Sequence, residues 1–406
     1  MARVSVNFKE TGIDAISQAG RTRLGRVQSI DIGTNLPNTP IQEVGSDKLV
    51  GRIFDIPEVT VSVSAIDVGA RTAFLMAGKD WDTAASGTVV ELQDLDYVCL
   101  AQAFKSDGND DIARTLYVPG AKIDSLSYNY SVGSDATEDY SFMATTQRWL
   151  RYDVAIASGT VTGGSVSLDA ARQLKNGNYY LSVFTATGGY QPDEVVTASD
   201  ANSVTFDTTK VPNGTEVVVT YHKDLSDQWD YTYEYPHVAP DYTPPPDQPV
   251  GVRGWGVEVF LVKDGESDNR IYRAQSCTVQ AQYPTEKVQE LGNESVVGYQ
   301  DGIPEVTGTL ELLQSDFSLQ ELLSGDTVGD NWDPNELGLG NWGLYVKVWR
   351  RGADRINTEP EKTIYIPQLD ITQESNRTQV GQDVAITYNW SSLTNEMFIY
   401  KGDKPA

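Results

Sequence analysis

Apolar and polar residues alternate along much of the chain with a period of two. The clearest stretch is VTVSVSA at 59–65, in which Val and Ala alternate with Thr and Ser. A second stretch, VTGTLEL at 306–312, alternates in the same way. This period predicts antiparallel strands in a sheet with one covered face and one face in water. The fold class is therefore predicted as mainly β.

The alternating segments belong to an internal repeat. Residues 26–60 align without a gap on residues 273–307, an offset of 247, and 14 of the 35 pairs are identical. The run IPEVT at the end of the first segment recurs whole at the end of the second. Further along the chain the offset becomes 248, so that YV at 97–98 aligns with YV at 345–346. The sequence therefore predicts two copies of one domain, 1–148 and 250–406.

The segment between the copies has a different pattern. Five short alternating runs between 151 and 224 are separated by turn sequences such as Asn176-Gly177 and Asn213-Gly214. Short strands at this spacing predict a small immunoglobulin-like β-sandwich over 151–224. Six prolines and five acidic residues, with no Lys or Arg, follow in 226–250. This composition predicts an extended, acidic, Pro-rich linker, which we place at 225–249.

Each copy is expected to carry one helix after its alternating strand. The first is predicted over 68–77, with Asp67 as its cap and Gly78 at its end. The second is predicted over 317–324, ahead of Gly325, with apolar residues at helical spacing on one face.

A long segment precedes the alternating strand in each copy, at 33–56 and at 280–303. Segments of this length are uncommon in compact domains, and they are usually functional or disordered. Polar and glycine positions recur in both copies, which argues for a definite shape: Gln42, Glu43, Gly45 and Gly51, with Gln289, Glu290, Gly292 and Gly298. The next strand starts at Pro57-Glu58 in one copy and at Pro304-Glu305 in the other. A plain hairpin that packs on its own domain is the alternative.

Composition narrows the function classes. The chain has 57 Asp and Glu against 31 Lys and Arg, a formal net charge of −26. Such a protein gains nothing from counterion release on nucleic acid, and anionic membranes repel it. No apolar run approaches the ~20 residues of a membrane span.

The sequence contains few residues that could form a catalytic or metal-binding site. The two cysteines, Cys99 and Cys277, make neither a disulfide framework nor a zinc site, and we expect buried thiols. The two histidines, His222 and His237, lack a recognisable catalytic arrangement. The acidic segment 106–111 lacks the ligand spacing of a calcium loop and is interpreted as a turn. We therefore expect no enzyme activity, metal or cofactor.

Together these features resemble the tail tube domains of tailed bacteriophages, in particular a long-tailed, siphophage-type tube protein with a duplicated domain and an immunoglobulin-like insertion. The resemblance covers both copies, about three quarters of the chain. The motifs that carry it are Gly45, Gly51, Pro57-Glu58-Val59-Thr60 and Val132-Gly133 in the first copy, with Gly292, Gly298, Pro304-Glu305-Val306-Thr307 and Val380-Gly381 in the second.

The resemblance implies two tandem β-sandwich or barrel domains, each with one helix, and a structural role in the virion. In that family six domains form a ring, the sheets line a channel for double-stranded DNA, and the long loops stack one ring on the next. Two domains in one chain then imply a homotrimeric, pseudo-hexameric ring. Implied partners are other copies of the chain, the tape measure protein and tail-tip or terminator proteins. Assembly would take place in the host cytoplasm, without a membrane.

Two other functions stay open at this point. Another ring-forming tail component, such as a distal tail or baseplate hub protein, would carry similar repeats. A carbohydrate-binding or carbohydrate-cleaving β-protein would use the eight Trp and the abundant Asp and Glu. The sequence does not say whether the acidic residues face a channel or only keep the unassembled chain in solution.

Overall fold

The chain is mainly β, as predicted, with several sheets and little helix. The computed structural model describes residues 11–24, 26–42, 49–54, 57–66, 69–95, 97–105, 112–151, 154–186, 189–191, 195–222, 256–263, 269–288, 298–313, 342–349, 353, 355, 358–377 and 385–405. Within these residues none of the sheets closes on itself.

Eleven strands and one helix belong to the first copy. The strands are β1 (Thr11–Ser17), β2 (Gly20–Arg23), β3 (Val27–Asn35), β4 (Asn38–Gln42), β5 (Leu49–Phe54), β6 (Glu58–Ile66), β7 (Val89–Glu91), β8 (Val98–Lys105), β9 (Ile112–Ser131), β10 (Thr137–Ala144) and β11 (Arg148–Arg151). The helix α1 spans Arg71–Met76, and a 3₁₀ turn spans Leu92–Asp94. The long strand β9 pairs with β8 and β11 near its start and with β10 near its end, so it belongs to two sheet regions.

The middle segment forms two small antiparallel sheets. One contains β12 (Val154–Thr160), β14 (Ser182–Thr185), β15 (Gly189–Gln191) and β18 (Glu216–His222). The other contains β13 (Ser165–Ser167), β16 (Val196–Ser199) and β17 (Ser203–Phe206). Apolar side chains from both sheets meet in one buried cluster, which is the packing of a β-sandwich.

Ten strands follow in the second copy. They are β19 (Val257–Lys263), β20 (Asn269–Arg270), β21 (Ala274–Gln282), β22 (Thr285–Val288), β23 (Gly298–Asp301), β24 (Glu305–Leu313), β25 (Trp342–Val348), β26 (Lys362–Arg377), β27 (Ala385–Ser392) and β28 (Phe398–Lys401).

The strand pairing of the first copy recurs in the second. The order β3–β6–β10–β9 matches the order β21–β24–β27–β26. Tyr140 lies opposite Leu126 in one copy, and Tyr388 lies opposite Glu374 in the other, both at the offset of 248. Even the irregular positions recur: each first strand has a bulge after its first residue, and Arg26 and Arg273 before it both have positive φ.

The two copies lie side by side in one sheet. Strand β21 of the second copy pairs along β9 of the first, from Ser276 opposite Ser131 to Gln282 opposite Ser125. We call this pairing the internal seam. It joins eight strands in the order β3–β6–β10–β9–β21–β24–β27–β26, and one continuous apolar core lies against them.

The first helix is shorter than predicted. It begins at Arg71 rather than at 68, because Gly69 at φ +142° bends the chain around the Trp81 ring. Asp67 lies outside the described residues, and Ala70 at the N-cap makes no side-chain hydrogen bond. Gly78 ends the helix as predicted, at φ +69°, with its amide bonded to a helix carbonyl. The predicted helix over 317–324 lies outside the described residues.

Candidate assembly surfaces

One face of the eight-strand sheet carries small polar side chains almost throughout. Cross-strand register places the same kind of residue side by side on every strand, as in the row Ser29–Ser64–Asp139–Ser127–Gln280–Thr307–Ser391. Carboxylates are interspersed on this face, and cross-strand register also places Lys122, opposite Met143, and position 377, opposite Ala385, on it. We call it the polar face.

Hydrogen bonds tie the polar face together across its strands. The carboxylate of Asp139 accepts from the hydroxyl of Ser64 and, at 2.8 Å, from the amide of Asn129. In the second copy, Asn389 Nδ2 donates to Gln373 Oε1 at 2.9 Å. Since these groups bond one another within the face, it is a pre-ordered, weakly acidic wall.

The two outer strands of the eight are unpaired on one side. Strand β3 pairs with β6 alone, and the 370–377 part of β26 pairs with β27 alone, among the described residues. Their equivalents in the other copy, β21 and the second half of β9, are the two strands of the internal seam. The two outer edges of the eight-strand sheet are therefore equivalent to the two strand edges that pair at the internal seam.

The long segments form two hairpins. Strands β4 and β5 make hairpin 1, and β22 and β23 make hairpin 2. Each rises from the same end of the eight-strand sheet, between the first strand of its copy and the alternating strand. The described side-chain contacts of hairpin 2 reach the first copy, which a plain hairpin packed on its own domain would not do.

Hairpin 2, together with Tyr283 just before it, docks on the first copy through side-chain contacts. The Nζ of Lys287 forms an ion pair of 2.5 Å with Oε1 of Glu58. Tyr283 OH donates to the carbonyl of Leu92 at 3.2 Å. The ring of Tyr299 lies 6.1 Å from the ring of Tyr97. Burial first, and the Glu58 charge second, raise the pKa of Tyr299 to about 12.

Hairpin 1 has no equivalent dock within the described part of the chain. Leu36 holds the position of Tyr283 and is 60 % exposed. Ile41 on the same hairpin is also exposed. Equivalent positions of the two copies therefore differ in exposure, since Tyr283 contacts the first copy and Leu36 lies in solvent.

Both ends of the eight-strand sheet expose large apolar side chains. The hairpin end carries most of them: Leu36, Ile41, Val288, Ile303 and Leu393. Val132 and Tyr272 lie at the opposite end and are 60 % and 74 % exposed.

The predicted loop residues are only partly described. Gln42 lies in hairpin 1 opposite Leu49, Gly51 lies there opposite Ile41, and Gly298 pairs with Val288 in hairpin 2. All four predicted strand-start residues are described, namely Pro57, Glu58, Pro304 and Glu305, and Glu58 forms an ion pair with Lys287 of the other copy. The remaining predicted loop residues lie outside the described part: Glu43, Gly45, Gln289, Glu290 and Gly292.

The sandwich rests on the first copy through buried contacts. The hydroxyl of Tyr117 in β9 lies 2.6 Å from Ser182 Oγ and 2.8 Å from Thr220 Oγ1, both in the sandwich. Burial raises the pKa of Tyr117 well above its usual range. An apolar cluster surrounds this group, with members such as Ile16 from the first copy and Phe184 from the sandwich. The sandwich is therefore a packed neighbour of the first copy.

The chemically reactive side chains that are described lie in buried surroundings. No group of three metal-ligating residues occurs among the described side chains. His222 is buried, with Nε2 at 2.5 Å from the carbonyl of Arg151. Both cysteines are buried, and burial raises the pKa of Cys277 to about 12. None of the helices described has the length and apolar character needed to cross a membrane.

Sequence reasoning missed the internal seam and the dock of hairpin 2, since both join residues of different copies. The sequence contains one signal of the dock of hairpin 2. Equivalent positions of the two copies hold Leu36 and Tyr283, and this change from aliphatic to aromatic indicates different surroundings. No protein-family model matches the chain, and a comparison with curated proteins found no significant relative.

Proposed function

We propose that the chain assembles with copies of itself into rings that stack into a tube conducting double-stranded DNA, as the tail tube of a long-tailed bacteriophage. In this proposal it is a structural virion protein, built of two tail-tube-like domains and an immunoglobulin-like insertion. The internal seam carries the proposal. It is a contact between two equivalent domains whose edges recur, unfilled, at the two outer strands of the same sheet.

A repeated head-to-tail contact must either close into a ring or continue as a filament. Each chain brings eight strands to the sheet, so three chains bring 3 × 8 = 24 strands. At a spacing of ~4.8 Å and a tilt of ~40°, 24 strands give a closed wall roughly 48 Å across between backbones. That width leaves room for a nucleic-acid duplex on the axis after side chains are added.

The polar face suits the inner wall of such a tube. Its hydroxyls and amides already bond one another, so few of them are available to hold a passing duplex. The carboxylates interspersed on this face repel phosphate over about 10 Å at 0.1 M salt. The other face of the sheet is covered by the apolar core and cannot line an aqueous channel.

The exposed apolar ends favour a stacking tube protein over a hub used once per particle. Ile303 at the hairpin end and Tyr272 at the opposite end are each 74 % exposed. The recurring loop residues Glu43 and Glu290 are proposed to accept hydrogen bonds from the next ring. Tape measure and tail-tip or terminator proteins are the further partners of the proposal, and no cofactor is required.

The test is the assembly state of the purified protein. Native mass measurement is expected to give rings of three times 44.5 kDa, and negative-stain microscopy is expected to show hollow tubes. Glu43→Ala with Glu290→Ala should leave folded rings that no longer form long tubes. Rings that never stack would support the hub instead. A protein that stays monomeric at all concentrations would contradict the proposal.

A further inference from the structure

We propose that neighbouring chains join by antiparallel pairing of β3 of one chain with the 370–377 part of β26 of the next, in the register of the internal seam. The inference rests on the proposed ring and specifies its interface. Applying the offsets of 247 and 248 to the internal seam converts each of its pairs into a pair between chains. Gln282 opposite Ser125 becomes Asn35 opposite Gln373.

This register brings opposite charges together at one position. The internal seam has Thr278 opposite Asn129, a neutral pair. The equivalent residues at the outer edges are Asp31 and Arg377. Asp31 is exposed on the polar face, and strand alternation assigns position 377 to the same face. The pairing between chains thus acquires an ionic pair that the internal seam lacks.

A second ionic pair follows from the hairpins. In hairpin 2, Lys287 lies opposite Tyr299 and binds Glu58 of the first copy. In hairpin 1 the equivalent facing residues are Pro40 and Arg52, so the cation is on the other strand of the hairpin.

The acceptor for that cation is on the other copy. Glu305 is the equivalent of Glu58, and it is exposed. Hairpin 1 docked on the next chain as hairpin 2 docks on its own would bring Arg52 to Glu305. Leu36 would be covered by the same movement, as Tyr283 is.

The core-facing positions of the two seams differ in character. The internal seam buries Leu126 opposite Ala281 and Tyr128 opposite Val279. At the outer edges, Leu126 is replaced by Glu374 and Tyr128 by Asn376. Polar and charged residues on an open edge oppose indiscriminate strand pairing. The internal seam is therefore apolar and permanent, whereas the seam between chains is polar and selected by charge.

Disulfide trapping tests the register. Asn35→Cys with Gln373→Cys should give, on oxidation, linked species up to a closed trimer on a non-reducing denaturing gel. A link within one chain is excluded, because seven strand spacings, roughly 34 Å, separate the two positions. The native thiols are buried and should not interfere.

Two matched variants control the trapping. Ser125→Cys with Gln282→Cys places the same pair in the internal seam, and it should link within one chain without a change in mass. Asn35→Cys with Ser375→Cys is two residues out of register, and it should link at least about tenfold less.

Charge reversal tests the selection by charge. Asp31→Arg or Arg377→Asp alone should raise the concentration needed for half-assembly by about tenfold or more, because like charges then face each other. The two reversals together should return it to within about threefold of the parent. Glu305→Arg with Arg52→Glu should show the same loss and recovery, and circular dichroism checks that each variant is folded.

The results of these experiments distinguish the proposed seam between chains from the proposed ring. Trapped multimers without rings would support the seam and overturn the ring. Rings of three without in-register trapping, or with out-of-register trapping as strong, would overturn the seam and leave the ring. Neither rings nor trapping would overturn both, and reversals that do not rescue each other would overturn the ionic pairs.

Discussion

Gly308 is a position at which one methyl group should be costly. It lies in β24 opposite Trp390 of β27. A Cβ there would approach Trp390 Cζ2 to 2.2 Å and the carbonyl of Thr278 to 2.1 Å, both well below the 3.0 Å that real contacts keep. In the first copy the equivalent pair is Val61 opposite Phe142, a larger residue facing a smaller ring.

We expect Gly308→Ala to lower the free energy of unfolding by about 1–3 kcal/mol, the usual cost of overpacking. Trp390→Phe with Gly308→Val would install the pair of the first copy. The smaller Phe ring should remove the clash that Trp390 makes with the new side chain and so restore part of the lost free energy of unfolding. The clash with the Thr278 carbonyl should remain, so the restoration should be incomplete. The coupling in the double-mutant cycle should lie in the range of about 0.5–3 kcal/mol.

Urea unfolding of the unassembled chain measures these differences from the shift of the midpoint at constant slope. Gly33→Ala is the matched control, because its Cβ would meet only the Thr60 hydroxyl, at 3.3 Å, and that side chain can rotate. It should change the free energy of unfolding by less than about 1 kcal/mol. A Gly308→Ala variant as stable as this control would refute the packing argument.

Three further predictions concern buried polar groups. Tyr117→Phe should lower the free energy of unfolding by about 1–3 kcal/mol, measured by urea unfolding, because two buried hydroxyls in the sandwich lose a partner. Cys99 and Cys277 should resist a thiol reagent at pH 8 in the folded protein and react on unfolding, since burial raises the pKa of both. Tyr299 has a pKa of about 12 when folded, above its unfolded value, so the free energy of unfolding should fall as pH rises from about 10 to 12. Tyr299→Phe should make that slope shallower in pH-dependent melts, and an unchanged slope would contradict the assignment.

The sequence predicted the positions of the strands better than the pairing between them. Alternation at 59–65 correctly marked the covered and wet faces of β6, since Val61 is buried and Ser62 exposed. Alternation says nothing about which strand lies alongside, so the pairing of β21 with β9 was not foreseen. The start of α1 was also missed, because the bend at Gly69 depends on Trp81, twelve residues further along the chain.

For the candidate assembly surfaces, too, the sequence indicated local structure but not which residues lie next to it. The two long segments form hairpins where they are described, whereas five of the eight recurring glycine and polar residues lie outside the described residues. The surroundings of the two long segments could not be predicted from the repeat. One copy has the other copy beside it at the internal seam, and the equivalent edge of the other copy does not. Tyr283 meets the neighbouring copy within its own chain, while the equivalent Leu36 has no copy beside it there.

This asymmetry bears directly on how rings would close. A ring of six separate domains needs five association events, each with its own loss of translational and rotational freedom, and a sixth contact that closes the ring. Fusing two domains through an apolar internal seam leaves three such contacts to form. Once two of them exist, the third joins edges that are already held close together, at a high effective concentration. Contacts between chains can then be polar and individually weak, which keeps the free chain from aggregating, and the closed ring would still be stable.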